Sequence, residues 1–187
     1  MTTIRRFTMS DLFKFNNINL DVLTETYNMP FYLSYMSKWP EAFLVAEAPQ
    51  PHMDSSSSSP PSCLMGYMIG KSEGTNKCWH GHVSAVTVAP TYRRLGLAKT
   101  LMDDVERLSA NVYNGFFVDL FVRASNRLAI EMYEKFGYVK YRRVLGYYCS
   151  AEVSEDAWDM RKALVRDGKK DSVVPLDRPV RPEDLDW

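Results

Sequence analysis

The run Val86-Thr87-Val88-Ala89-Pro90-Thr91-Tyr92-Arg93-Arg94-Leu95-Gly96-Leu97-Ala98 decides how the rest of this chain is read. Its branched residues predict the end of a strand, spanning His80 to Val88. A turn follows and opens a helix over Tyr92 to Ala110, in which Leu97, Leu101, Val105 and Leu108 recur at helical spacing. The turn holds Arg93-x-x-Gly96-x-Ala98, where small residues let a ligand approach the backbone without meeting a Cβ. Unpaired N–H groups at a helix start carry about half a positive charge, and Arg93 and Arg94 add full charges beside them. This is the chemistry of a pyrophosphate cradle. A P-loop would end in Gly-Lys-Ser/Thr, and a Rossmann turn would need Gly-x-Gly-x-x-Gly near a first strand. A plainer reading stays open on these residues alone: Gly96 lets helix and sheet pack closely, and the arginines are solvated.

The chain has 187 residues, 23 Lys+Arg against 23 Asp+Glu, and 45% apolar content. That length suits one ordinary domain with tails and needs no disulfide or metal staple. Zero net charge argues against a protein that coats nucleic acid. Three cysteines without repeated spacing do not make a disulfide framework. No apolar run reaches the roughly 20 residues of a membrane span, and no secretory signal is read at the start, so a cytoplasmic protein is expected.

Working outward, seven of the ten prolines fall in Pro49–Ser62 and in the tail beyond Arg166. The first of these segments has six serines and one charge, and reads as a flexible insertion at a hairpin tip. Strand-like Ala42–Ala48 and Leu64–Lys71 flank it. Thr3–Phe7 reads as a strand, Ser10 as the cap of a helix from Asp11, and Phe31–Trp39 as an aromatic helix closed by Pro40. Phe116–Val122 reads as a buried strand and Asn126–Phe136 as a helix stopped by Gly137. Lys140–Cys149 is expected to be a last strand, and Glu155–Val165 a last helix. The expected fold is α+β, a mixed, mostly antiparallel sheet flanked by helices on both faces. Residues 1–165 would form the domain, and 166–187 a tail that is mobile or docks on a partner. Cys78, His80 and His82 alternate along one strand face and suggest zinc. Without an obvious fourth ligand, no metal is expected.

Arg93-Arg94-Leu95-Gly96-Leu97-Ala98 resembles the acetyl-coenzyme A loop of the GNAT acetyltransferases, Gln/Arg-x-x-Gly-x-Gly/Ala. Asn126-Arg127-Leu128-Ala129-Ile130-Glu131-Met132-Tyr133-Glu134-Lys135-Phe136-Gly137-Tyr138 resembles that family's second motif. Phe13–Tyr27, Pro30-Phe31-Tyr32, Trp79–Val83, Phe116–Arg123, Tyr147-Tyr148 and Arg178–Asp184 further resemble the catalytic subunits of N-terminal acetyltransferase B complexes, over nearly the whole chain. The main departure is the insertion at 49–62, which removes no motif residue.

The resemblance implies a fold, a cosubstrate and a set of roles. Acetyl-coenzyme A would lie on Arg93, Arg94, Leu95, Gly96, Leu97 and Ala98, its pantetheine arm paired with the main chain of Val86, Thr87 and Val88. Tyr133 would protonate the departing thiolate, and Asn126 would bind polar atoms of substrate or cofactor, or cap its helix, or both. The substrates would be proteins starting Met-Asp, Met-Glu, Met-Asn or Met-Gln. Tyr27 and Phe121 would wall the Met slot, and His82 with Ser84 would read the second side chain. Glu25 would hold or deprotonate the N-terminus, with Tyr147 and Tyr148 over the peptide backbone. A large helical-repeat auxiliary subunit would complete a heterodimer acting on nascent chains and would make any ribosome contact. Phe13, Phe15, Phe31, Tyr32, Tyr35, Met36 and Trp39 are candidates for its docking face. A GNAT enzyme for a small amine or lysine, or a module that binds coenzyme without catalysis, are the alternatives.

Overall fold

The computed structural model describes residues 2–21, 24–48, 63–149 and 154–185. The expected flexible insertion at 49–62 lies outside them. The described strands are β1 Thr3–Arg6, β2 Phe43–Glu47, β3 Leu64–Glu73, β4 His80–Val88, β5 Phe117–Arg123, β6 Val139–Cys149 and β7 Ser154–Ala163. The helices are α1 Asn16–Asn19, α2 Met29–Lys38, α3 Leu97–Asn111 and α4 Arg127–Lys135. Strand order is β1-β2-β3-β4-β5-β7-β6. β4 and β5 run parallel, while β1/β2, β2/β3, β5/β7 and β6/β7 are antiparallel, which is the mixed sheet the sequence implied. The chain forms two compact units, 1–70 with 85–104, and 71–84 with 105–187.

The first unit has an aromatic core. Phe7 stacks on Phe43 with centroids 4.1 Å apart, and Phe15 meets both Tyr32 and Tyr67 edge-on. Edge-to-face aromatic pairs add to the burial of their area. Of the seven residues considered for a docking face, Phe15, Tyr32 and Tyr35 are therefore core; Phe31, Met36 and Trp39 pack partly against it, and Phe13 is 82% exposed. The expected helix from Asp11 is instead a 3-10 turn, Met9–Phe13, followed by the single turn of α1. Asp11, not Ser10, organises it. Its carboxylate accepts from the Thr8 N–H at 2.8 Å and from both terminal nitrogens of Arg5 at 2.7 and 2.9 Å. α2 starts where Asn28 Oδ1 accepts from the Phe31 N–H.

The second unit corrects two expectations. Ser154–Ala163 is strand β7 and not a helix. Each of its acids finds an arginine across the sheet. Glu155 meets Arg123 at 3.2 Å and Asp156 meets Arg143 at 2.7 Å. Asp159, fully buried, accepts from Arg142 Nε at 3.0 Å and from Arg161 at 3.0 and 3.1 Å. Long-range ion pairs override local preference here.

The second concerns the tail, expected to be mobile or to dock on a partner, whose described residues pack on this chain itself. The Leu176 N–H donates to the Tyr141 carbonyl at 2.7 Å, and Val180 makes two main-chain bonds to Arg143 and Leu145. Val180 bridges Val144 in parallel, so the tail covers part of the β6 edge. Leu185 is buried with Val144 and Ala157, against Phe121, Tyr147 and Tyr148. Leu185→Ala should lower the unfolding free energy by about 2 kcal/mol, the low end for a buried Leu near a chain end that can relax. Urea titration of the wild-type and variant proteins checks this, and coincident midpoints would refute it.

Candidate active site

In the first unit the cradle differs from its sequence reading in one respect. The helix begins at Leu97, not Tyr92. Residues 90–92 form a 3-10 turn, and Arg94 and Gly96 then take positive φ values of 66° and 81°. A non-glycine residue in the left-handed region costs roughly 1–2 kcal/mol, and such strain gathers at functional sites. Alternating hand turns successive backbone N–H groups toward one concavity, the arrangement that binds anions. A Cβ built on Gly96 meets nothing within 4 Å, so open space lies over the loop. Positive φ, open approach and the start of a 15-residue helix together fit a pyrophosphate.

Arg93 is not simply a phosphate ligand. Its Nη2 bonds to Asp21, and its Nε donates to the Val88 carbonyl at 3.1 Å. The guanidinium thus ties the turn to the strand end, and one acid, Asp21, sits within the basic arrangement. Arg94 is exposed beside it. Thr87 shares a 2.7 Å hydroxyl bond with Thr24. Val86, Thr87 and Val88 lie past the end of the β4–β5 ladder, which covers Gly81–Val83 against Val118–Leu120. Glu25 is exposed, and Tyr27 stacks on Phe31 at 4.0 Å while its N–H donates to the Tyr32 hydroxyl.

In the second unit the structure gathers four of the expected substrate residues into one cluster. The His82 ring centroid is 5.7 Å from that of Phe121, Phe121 stacks on Tyr147 at 4.6 Å, and Tyr147 meets Tyr148 edge-on at 5.1 Å. The Tyr148 hydroxyl donates to the Phe121 carbonyl at 3.0 Å, and the Arg123 guanidinium lies 4.2 Å over the Tyr148 ring. Ser84 follows His82 by two residues on β4, half-buried. Asn126 caps α4, its Oδ1 accepting from the Ala129 N–H at 3.1 Å. Tyr133 is buried on α4 between Phe136 and Tyr138. Burial pushes its phenol above the ordinary range, so it stays protonated and able to donate.

Sequence reading missed the partner of His82. The β4–β5 register sets His82 directly beside Asp119, and Nδ1 lies 2.8 Å from Oδ1. Asp119 is 1% exposed, and the two histidines hold its carboxyl far below the usual range. A signal was present: an acid inside Phe116–Val122 must be paired if that strand is buried. The zinc trio is also redrawn. Cys78 is exposed on a 3-10 turn ahead of the strand, whereas Glu73, His80 and His82 bring one ligand atom each within 4.8 Å.

The Acetyltransferase (GNAT) family profile matches residues 15–138. The chain belongs to the GNAT acetyltransferase family. It is 59% identical to an N-alpha-acetyltransferase 20 of Dictyostelium discoideum over 100% of this chain and 99% of that protein. It is 54% identical, over 100% and 99%, to the N-terminal acetyltransferase B complex catalytic subunit NAA20 of Arabidopsis thaliana. Among solved structures, Naa20 of Chaetomium thermophilum, crystallised with a bisubstrate analogue, superposes with a TM-score of 0.82 at 38% identity, covering 97% of each chain. Within the family, this GNAT chain is an N-terminal α-acetyltransferase of the catalytic-subunit type.

Proposed function

We propose that this chain transfers the acetyl group of acetyl-coenzyme A to the α-amine of proteins starting Met-Asp, Met-Glu, Met-Asn or Met-Gln. It would act as the catalytic subunit of a co-translational complex in the cytoplasm. The observation that carries this reading is similarity to N-terminal acetyltransferase B complex catalytic subunits, at 54% identity over the whole chain and 56% over 92% of it. Among the described residues no helix is long and apolar enough to cross a membrane. The large auxiliary subunit is proposed from the relatives' names as members of a complex. Exposed Phe13, Leu20 and Met29 are surfaces it could cover, and it would make any ribosome contact.

Acetyl-coenzyme A is the acetyl donor. The loop amides around Gly96 and the side chain of Arg94 hold its pyrophosphate, while Arg93 braces the loop. The α-amine of the peptide attacks the thioester carbon, its N–C bond forming as the C–S bond breaks. An α-amine titrates at roughly 7.7–8.0, so about one-tenth to one-sixth is already neutral at pH 7, and water or Glu25 takes the remaining proton. Tyr133 gives its proton to the departing sulfur and recovers one from solvent. Positioning supplies much of the rest. Phe121 and Tyr147 offer the apolar, aromatic lining a Met side chain wants. His82 and Ser84 meet the polar second side chain.

A panel of peptides tests the reading. The full chain, co-expressed with its auxiliary subunit, should acetylate Met-Asp peptides at least tenfold faster, by kcat/KM, than Met-Leu, Ser-Glu or internal-lysine peptides. Preference for any of the last three would overturn it.

A further inference from the structure

We propose that Asp119 and His80 are positioning residues for the pocket that reads the second residue of the substrate. Asp119 holds His82 with its Nδ1–H inward and its Nε2 toward the peptide. His80 offsets the carboxylate charge behind it, so that an acidic second side chain is accepted. This rests on the reading of His82 given above.

The backbone makes the juxtaposition, because His82 and Asp119 are register partners on parallel strands. At 2.8 Å the Nδ1–H donates to the carboxylate, which fixes both the tautomer and the ring plane. Among the described residues no lysine or arginine pairs with Asp119. Arg161, its register partner on β7, forks onto Asp159. A buried carboxylate without compensation is costly, and it would also repel an acidic side chain arriving at His82.

His80 supplies the compensation. Its Nδ1 lies 2.5 Å from the Cys78 carbonyl, so Nδ1 must carry a proton. Its Nε2, buried and without a hydrogen-bond partner, faces Asp119 Oδ1 at 3.4 Å and Glu73 Oε1 at 3.8 Å. A lone pair there would confront two carboxylates, so a second proton is favoured and the ring is an imidazolium. The neighbouring charges raise its pKa against the opposing effect of burial. The groups around the ring are Glu73, Asp119, His82, the Cys78 carbonyl and Phe117, on which it stacks at 4.5 Å. Arg161 also lies over Phe117. Zinc on Glu73, His80 and His82 would need the His82 Nδ1 unprotonated, whereas that nitrogen lies against the Asp119 carboxylate. The 2.8 Å contact is a hydrogen bond instead.

The test compares kcat and KM for Met-Asp, Met-Asn and Met-Leu peptides between pH 6 and 9, using the full chain with its auxiliary subunit. Asp119→Asn should raise the Met-Asp KM at least tenfold, with the acetyl-coenzyme A KM within about twofold. His80→Gln should lower the Met-Asp to Met-Asn ratio of kcat/KM about tenfold. In wild type that ratio should fall as rising pH strips the His80 proton, and in His80→Gln the slope should vanish. Wild-type ratios in both variants, or a flat wild-type profile, overturn the inference. So does stoichiometric zinc in the purified complex that His80→Gln loses. His82→Ala separates the two readings. If it keeps wild-type discrimination, the role of His82 itself is wrong. If it loses discrimination while Asp119→Asn and His80→Gln keep theirs, only the present inference fails.

Discussion

Tyr133→Phe is expected to lower kcat about a hundredfold and leave both KM values within about twofold. The substitution removes one oxygen from a buried ring held against Phe136 and Tyr138, so packing is kept. What it removes is the proposed donor for the departing sulfur. A positioned acid is worth about 10²–10⁴-fold, and a thiolate leaves more readily than an alkoxide, which places this case at the low end. The pH profile carries a second check. Burial raises the Tyr133 phenol above its ordinary range, so the acid stays protonated throughout the working range. The rate should then rise with pH as the α-amine loses its proton near 7.7–8.0, with no falling limb from the tyrosine below about pH 9. Steady-state thiol release under saturating substrates measures both. An unchanged kcat, with an unchanged melting curve, would remove Tyr133 from the chemistry.

The parts of this molecule that were legible in the sequence are those set by local chemistry. Gly96 and Ala98 after a strand, Asn126 three residues before the Ala129 N–H, and Gly137 past the end of α4 each declare their role within one turn of chain. What was not legible depends on partners far along the chain. Glu155–Val165 reads as a helix because the arginines that meet Glu155, Asp156 and Asp159 are brought to them only by β5, β6 and β7. The tail reads as mobile or docked on a partner because its anchors on this chain, main-chain bonds from Leu176 and Val180 and one buried Leu185, leave almost no pattern in composition. The cradle lies between these cases. Its residues point to a phosphate ligand, but the left-handed turn at Arg94, which delays the helix to Leu97, is a backbone property with no side-chain signature.

That turn gives the second large effect, in which Gly96→Val should raise the KM for acetyl-coenzyme A about a hundredfold, and Gly96→Ala about tenfold. Two terms contribute. At φ +81° a β-branched residue is strained, and holding an L-residue there costs roughly 1–2 kcal/mol. The added carbons would also fill the open space through which a pyrophosphate reaches the loop amides. In the free protein that space is empty to 4 Å, so the second term is absent until ligand binds. Stability therefore reports the first term alone, a fall in melting temperature of roughly 2–8 °C for a chain of this size. The KM reports both. The two readings separate cleanly because the peptide KM should stay within about twofold, the peptide being assigned by the proposal to the His82, Phe121 and Tyr147 cluster. Should Gly96→Val lose stability while its acetyl-coenzyme A KM stays at the wild-type value, the glycine would serve only the backbone turn, and the pyrophosphate would have to bind elsewhere.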